Sequence, residues 1–99
     1  MAPRLQLQEL LETFTPNVYF QPPTNIQLQY PCIIYRRDFA QTKFADDLAY
    51  DYYIRYQITV IDRDPDSEIP EKVALMPMSL FNRFYTVDNL NHDVFNVYF

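Results

Sequence analysis

The feature that most constrains the fold is a strict alternation of apolar and polar residues in "YDYYIRYQITVID", residues 50–62. Successive side chains of a β-strand point to opposite faces, so a period of two predicts a strand with one face on a core. The other face is mostly polar, yet it carries Tyr53 and Ile61. Because strands usually have about five or six residues, we expect a long hairpin with residues 32–40 whose far end projects from the body. The apolar face consists of Tyr50, Tyr52, Ile54, Tyr56, Ile58 and Val60.

The remaining segments predict two helices and further strands. Residues 4–14 place Leu7, Leu10, Leu11 and Phe14 on one helical stripe. A second, short helix is predicted after Ser67 as N-cap, with Ile69, Val73 and Met76 as its buried stripe and Pro77 as its end. The order of elements predicts an α+β fold, a mixed and mainly antiparallel sheet with two helices packed on one face. The other predicted strands are residues 18–20, 79–87 and 92–99, and residues 21–31 and 42–48 are predicted connections.

The length of 99 residues predicts a single structural domain, residues 1–99. The chain contains no glycine. This absence removes the P-loop and the dinucleotide-binding fingerprint, whose backbones approach phosphate through glycine. Turns must therefore use Pro, Asn and Asp, which occur in "QPPTN", "DRDPDS" and "VDNLNHD".

Charge and cysteine content limit the partners. The net charge of −5 gives no overall attraction for a phosphate backbone, so direct binding of nucleic acid is not expected. The single cysteine, Cys32, excludes an internal disulfide, and its apolar surroundings predict a buried thiol in a reducing compartment. No apolar run reaches the roughly 20 residues of a membrane helix, so we expect a soluble protein made in the cytosol, with no membrane partner.

The candidates for chemistry are few. An acidic cluster lies within residues 62–71, and alternating carboxylates can bind Ca²⁺ or Mg²⁺. A small metal-dependent hydrolase is therefore one alternative, although turn and helix-cap roles explain most of these acids. His92 and Asp93 are adjacent on a predicted strand, where neighbours point to opposite faces, so they cannot act as a catalytic pair. We expect no enzyme activity, no catalytic or metal-binding residues and no cofactor. The cluster consists of Asp62, Asp64, Asp66, Glu68 and Glu71.

The aromatic content points to an interface. Nine Tyr and eight Phe make 17% of the chain, more than a core of this size readily absorbs. The last strand is apolar on both faces, so it needs cover on both sides. That second cover comes either from a neighbouring subunit or from the monomer itself, as in a central strand. The residues predicted to contact a neighbour are Phe44, Tyr53, Ile61, Phe95, Tyr98 and Phe99.

Several segments resemble a known family. They are "NVYFQPP", "YPCIIYRRD", "TKFADD", "YQITVIDRDPDSEIPEKV" and "FYTVDNLNHDVFNVYF", which together cover nearly the whole chain. They are similar to the small tail completion or tail terminator proteins, also called head–tail joining proteins, of long-tailed bacteriophages and prophages of Gram-positive bacteria. The order of helices and strands is also similar to that of tail terminators.

This resemblance implies a structural protein of the virion neck that is assembled in the host cytoplasm. Its copies would form a hexameric ring that caps the tail tube, contacts the major tail tube protein, and docks the head–tail connector or adaptor. DNA would be only passing cargo in the channel. The hairpin of residues 32–62 would contribute to contacts with other subunits and with the tube. A head-completion or connector adaptor protein is the alternative within the same class.

Overall fold

The computed structural model describes the backbone of residues 3–45 and 48–99, and the side chains of residues 4–40 and 54–99. Over this part of the chain, the protein has two helices and a five-stranded mixed sheet. The predicted α+β class is therefore confirmed. The helices are α1 (Pro3–Glu12) and α2 (Ile69–Ala74), and the strands are β1 (Val18–Phe20), β2 (Cys32–Ala45), β3 (Leu48–Asp62), β4 (Ser79–Val87) and β5 (Leu90–Tyr98).

The strands lie in the order β1-β2-β3-β5-β4. β1 is parallel to β2, and every other neighbouring pair is antiparallel. β2 and β3 form one hairpin whose register runs from Cys32 opposite Ile61 to Ala45 opposite Leu48. The hairpin is longer than predicted, because most of the connection expected at residues 42–48 continues the two strands. Cross-strand pairing, with a register shift between Lys43 and Phe44, supplies backbone partners to this charged segment.

One end of the hairpin extends beyond the rest of the sheet. β1 pairs with β2 only at residues 33–35, and β5 pairs with β3 only from Arg55 onward. Among the strands that the structure describes, residues 41–53 therefore pair only with each other. The molecule is elongated, with principal extents of 52 × 24 × 23 Å. We call residues 41–53 the hairpin arm.

The hydrophobic core lies between the helices and one face of the sheet, which we call the helix face. The period of two in β3 is confirmed here, because Tyr56, Ile58 and Val60 all point into this core. Both predicted helical stripes also pack against it. The core consists of Leu7, Leu11, Ile33, Tyr35, Tyr56, Ile58, Val60, Val73, Met76, Phe95 and Val97, with Leu10, Phe14, Val18, Phe20, Ile54 and Ile69 packed around it.

The start of α2 differs from the prediction by one residue. Glu68 occupies the N-cap position and makes no capping hydrogen bond with its side chain. Ser67, the predicted N-cap, lies one residue earlier, and its hydroxyl accepts a hydrogen bond from the Ile69 amide at 3.3 Å. The serine therefore still satisfies an amide at the start of the helix.

The loop of residues 21–31 crosses the opposite face of the sheet. Parallel neighbours such as β1 and β2 need a connection that returns along the sheet. Tyr19 points away from the helix face, since its neighbours Val18 and Phe20 pack on the core. The Tyr19 hydroxyl accepts a hydrogen bond from the Gln29 amide at 3.4 Å. The loop therefore lies on the side of the sheet that carries Cys32 and Ile61.

Cys32 is fully buried on this side of the sheet. Burial raises the pKa of the Cys32 thiol to about 11, and the negative charge of Asp62 adds to the shift. A thiol that stays protonated at neutral pH is a poor nucleophile. The prediction of a buried, structural cysteine is confirmed.

The tight turns form without glycine, as predicted. Asp88 and Asn89 connect β4 to β5 and have φ angles of 53° and 62°. Two-residue hairpin turns with both φ values positive match the twist of the strands, and Asn and Asp tolerate this region better than most residues. Gln21 and Met78 also have positive φ, at 46° and 61°. Met78 directly precedes β4, so both ends of this strand are set by left-handed residues.

Candidate assembly surface

β4 is an edge strand that exposes large apolar side chains. Among the strands that the structure describes, β5 is its only neighbour. Phe84 is 75% exposed, and Leu75, just after α2, is 79% exposed. A row of unpaired backbone groups and apolar side chains at a sheet edge is a template for pairing with another chain. The exposed residues, which we call the β4 patch, are Leu75, Met78, Leu80, Phe81, Phe84, Tyr85 and Val87.

On the helix face, the β4 patch continues the hydrophobic core outward. The ring centroid of Phe81 lies 5.6 Å from that of buried Phe95 and 6.0 Å from that of exposed Phe84. These are the distances at which aromatic pairs attract one another. The three rings therefore form a continuous row that runs from buried Phe95 through Phe81 to exposed Phe84. Neither α1 nor α2 covers its outer end, because Phe84 is largely exposed.

A register shift in β4 puts Phe81 and Phe84 on the same face. The pairing with β5 is irregular between Phe81 and Arg83, which leaves Asn82 as the extra residue of a β-bulge. Without this bulge, residues three apart on a strand would point to opposite faces. The bulge therefore concentrates aromatic surface on the helix face of the edge.

The extra residue anchors the edge strand on the opposite face. The Asn82 amide donates to the side-chain oxygen of Asn96 at 2.8 Å, and the Asn96 amide donates to Asp38 at 3.0 Å. Asp38 also accepts a hydrogen bond from Arg55 Nε at 3.0 Å. This chain of polar contacts links β4 to β2 through the two strands between them.

An aromatic stack lies on the opposite face of the edge. Tyr85 is stacked on His92, with ring centroids 4.6 Å apart and planes 13° from parallel. The Arg83 guanidinium lies 5.6 Å from the Tyr85 ring centroid. Arg83, Tyr85 and His92 thus give this side a flat, partly charged surface, in contrast to the apolar helix face.

The β4 patch exposes apolar area on both faces of the edge strand. A Phe side chain buries about 150–250 Å² when fully covered, so Phe81 and Phe84, which are 54% and 75% exposed, leave about 200–300 Å² in contact with water on the helix face. Tyr85 adds to the exposed area on the opposite face. The largest apolar patch of a typical monomer is about 300–600 Å² and is often functional. The β4 patch is therefore a candidate surface for contact with another protein.

Two of the residues predicted to contact a neighbour are buried within the chain itself. Ile61 is 5% exposed and Phe95 is 2% exposed, so the prediction was wrong for both. Ile61 lies between Cys32 on β2 and His92 on β5. Phe95 lies in β5, which β3 and β4 flank on its two sides, and packs into the core. Val94, which points to the other face of β5, is also buried, so the monomer itself covers both faces of β5 at this point.

The other predicted contact residues have different outcomes. Tyr98 is half-buried and Phe99 is 41% exposed, so both can still contact a neighbour. The backbone here is held on two sides, since the Tyr98 amide donates to Met78 O and the Phe99 amide donates to Ile54 O, each at 3.2 Å. Phe44 and Tyr53 lie outside the residues whose side chains are described. Both belong to the hairpin arm, whose backbone the structure does describe.

The candidate catalytic groups are not assembled into a site. Asp93 lies opposite Val60 and Phe84 on the helix face, whereas His92 stacks on Tyr85 on the other face. Burial raises the pKa of the Asp93 carboxyl, and the nearby His92 partly opposes that shift. The predicted separation of His92 and Asp93 is confirmed.

The acidic segment of residues 62–71 runs from the end of β3 through a turn into the start of α2. The Asp64 amide donates to the Asp62 carboxylate at 3.0 Å, and the Asp66 amide donates to the Asp64 carboxylate at 2.9 Å. Such bonds are typical of Asp in turns. Among the residues whose side chains are described, 4–40 and 54–99, no three His, Cys, Asp or Glu side chains are grouped in a way that could hold a metal ion.

The sequence matches no protein-family model, and no curated protein matches it significantly. In the described part of the chain, no helix combines the length and apolarity needed to cross a membrane. The functional assignment therefore depends on the residues and geometry described above.

Proposed function

We propose that this protein is a structural component of a tailed-phage virion. Its copies would form a ring that caps the tail tube and joins it to the head connector. The observation that carries this proposal is the β4 patch, an apolar edge strand with Phe84 75% exposed. A ring subunit needs an adhesive surface beyond that of a monomer, and the patch supplies one.

Two further features support a role in the neck of a virion. The hairpin arm reaches beyond the rest of the sheet, as expected of an element that contacts an adjoining ring. The net charge of −5 suits a channel through which DNA must slide without binding, because like charges repel. The resemblance of several sequence segments to tail completion proteins adds the particular neighbours, the tail tube protein and the connector.

The main alternative is a head-completion or connector adaptor protein. It would use the same β4 patch for self-assembly but would bind the head connector instead of the tail tube. A metal-dependent hydrolase has less support, because the Asp62 and Asp64 carboxylates are engaged by backbone amides of their own turn. The two virion roles differ in the neighbour that is bound, so a binding assay separates them.

The test is assembly of the purified protein with preformed tubes of the tail tube protein and, separately, with connector rings, in EDTA. Electron microscopy would show whether the protein caps tube ends, and sedimentation would measure the bound fraction. We expect wild type to bind tube ends and Phe84→Ser to lose at least tenfold in bound fraction. Ile26→Ser is the matched control, because Ile26 is an exposed apolar residue of the 21–31 loop outside the patch.

Each outcome of this assay distinguishes between the candidates. Binding to connectors without binding to tubes would favour the adaptor. Binding to neither would refute a role in the neck. Equal losses in Phe84→Ser and Ile26→Ser would show that the β4 patch has no special part in assembly.

A further inference from the structure

We infer that the ring closes by antiparallel pairing of β4 in one copy with β1 in the next copy. This inference deepens the proposed function, because it names the two surfaces through which the copies meet. It commits the β4 patch to a second copy of this chain as its occupant. It also leaves the hairpin arm free for other parts of the virion.

The strand directions permit a ring of this kind. β1 lies at one edge of the sheet and β4 at the other. β1 runs parallel to β2, and three antiparallel pairings then lead from β2 to β4, so β1 and β4 run in opposite directions. A second copy in the same orientation therefore offers β1 to β4 as an antiparallel partner. This contact is head-to-tail, and it closes into a ring when the rotation between successive copies divides a full turn, whereas pairing of β4 with another β4 would close a two-fold dimer.

The register brings apolar side chains of the two edges to the same level. Phe81 lies opposite Phe95, and the row continues across the sheet through Ile58 and Tyr35 to Phe20. Likewise, Phe84 lies in the row that ends at Val18. Phe20 and Val18 pack on the helix face, the same face that carries Phe81 and Phe84. Pairing without a shift in level would place these side chains together and join the two cores.

The backbone of β1 has groups available for such pairing. The Ile33 amide donates to Asn17 O at 2.9 Å, and the Gln21 amide donates to Tyr35 O at 3.0 Å. Odd-numbered residues of this segment therefore face β2. By the alternation of a strand, Val18 and Phe20 direct their backbone groups away from β2, toward the position of a further strand.

The two edges also have complementary charge on the helix face. The half-buried Asp93 carboxyl lies beside Phe84, within the apolar surroundings of the β4 patch. On the other edge, the Arg4 guanidinium lies 4.5 Å from the Phe20 ring centroid and donates to the Tyr35 hydroxyl at 3.2 Å. An apolar edge with a carboxyl thus meets an apolar edge with a guanidinium, a match that fixes which edges pair.

Both edges carry exposed apolar side chains. The β4 patch supplies part of the roughly 800 Å² that a specific interface buries on each partner, and the backbone and polar groups of the edge would supply the rest. Beside the other edge, α1 contacts β1, and Leu5 of α1 is exposed.

Disulfide trapping tests the pairing. We would introduce Val18→Cys and Phe84→Cys into one chain, oxidise it at its highest soluble concentration with and without tail tubes, and separate the products on a non-reducing gel. The native Cys32 can remain, because it is buried and protonated at neutral pH. We expect a ladder of covalent oligomers at least tenfold stronger than in either single variant. The single variants are the matched controls, since a head-to-tail contact joins residue 84 only to residue 18.

Either of two results would overturn the inference. Efficient dimers from Phe84→Cys alone would show two-fold pairing of β4 with β4. No ladder from a folded double variant, with or without tubes, would mean that the copies meet elsewhere or not at all.

A second measurement tests the pairing if the Val18→Cys chain does not fold. Phe84→Lys changes only an exposed residue, so this variant should fold. In native mass spectrometry we expect it to be a monomer, whereas the control Ile26→Lys should keep the oligomeric state of the wild type. An unchanged oligomer in Phe84→Lys would also refute the pairing. The inference and the proposed function fail separately: a ladder without tube binding refutes only the neck role, and tube binding without a ladder refutes only the pairing.

Discussion

β4 and β5 have the same length and the same number of apolar residues but opposite environments. Each strand has nine residues, of which five are apolar or aromatic. β5 buries Val94, Phe95 and Val97, whereas Leu80, Phe81 and Phe84 of β4 are exposed. The difference lies in position, since β5 has strands on both sides and β4 forms an edge.

This comparison shows that a strand with apolar residues on both faces can have either of two structural positions, inside the sheet or at its edge. In β5 the apolar content reflects burial inside one molecule, between the helices on one face and neighbouring side chains on the other. In β4 the same kind of content leaves a surface open for another chain. The sequence pattern of β5 suggested an interface, but the candidate interface lies on its neighbour, β4.

The largest effect is expected from removal of residues 95–99. This deletion would remove Phe95 and Val97 from the core and leave the end of β3 without its partner. Each buried side chain contributes about 1.5–3 kcal/mol, and a whole domain is stable by only about 5–15 kcal/mol. We expect the cooperative unfolding transition in circular dichroism to disappear. Removal of Phe99 alone is the control, and a normal transition after the longer deletion would contradict the central position of β5.

A direct comparison of the two strands uses Phe95→Ala and Phe84→Ala. Loss of a buried Phe leaves a cavity and should lower the free energy of unfolding by about 3–5 kcal/mol. Loss of exposed Phe84 should change it by no more than about 0.5 kcal/mol. Urea unfolding at low protein concentration would measure both. Equal costs would mean that β4 is buried in the monomer after all.

A smaller effect is expected at the turns that bound β4. Met78 adopts a left-handed conformation at φ 61°, which costs a residue with a Cβ atom about 1–2 kcal/mol. Met78→Gly should therefore raise the free energy of unfolding by about 1 kcal/mol. Asn89→Gly should raise it less, because Asn tolerates this region. If both substitutions destabilise the protein, backbone strain does not limit the edge strand.

The smallest effect concerns the pH dependence at Asp93. Because burial raises its pKa in the folded protein, the folded state holds this proton more tightly than the unfolded chain, whose carboxyl has a pKa of about 3.9. The contribution of Asp93 to stability is thus full below that value and is lost as the pH rises through the raised pKa. Asp93→Asn should raise the melting temperature at pH 7 and change it little at pH 3. A loss at pH 7 would mean that the carboxylate is stabilised by a partner.

Much of the fold could be predicted from local patterns. The alternation in β3 identified Tyr56, Ile58 and Val60 as core residues because a strand has a period of two. The stripe of α1 identified Leu7 and Leu11 because a helix has a period of 3.6. Patterns of this kind depend only on neighbours in sequence, so they can be read without knowing the sheet order.

The candidate site could not be predicted in the same way. The sequence contains the adjacent apolar pairs of β4 and the two-faced pattern of β5, but nothing local distinguishes an edge strand from an interior one. The choice of Ile61 and Phe95 as contact residues was wrong because both are buried inside the monomer. Ile61 lies between Cys32 and His92 in the sheet, and Phe95 packs into the core on the helix face. The role proposed for β4 remains a prediction.

The sequence by itself determined the α+β class, the long hairpin, the glycine-free turns and the buried Cys32, because these follow from side-chain period, backbone preference and polarity. Only the tertiary structure decided which apolar strand lies at the edge, since strand order depends on long-range pairing. It also brought Phe81 and Phe84 to one face through a bulge. The edge position of β4 and the bulge within it together make a strand of ordinary composition an exposed apolar surface.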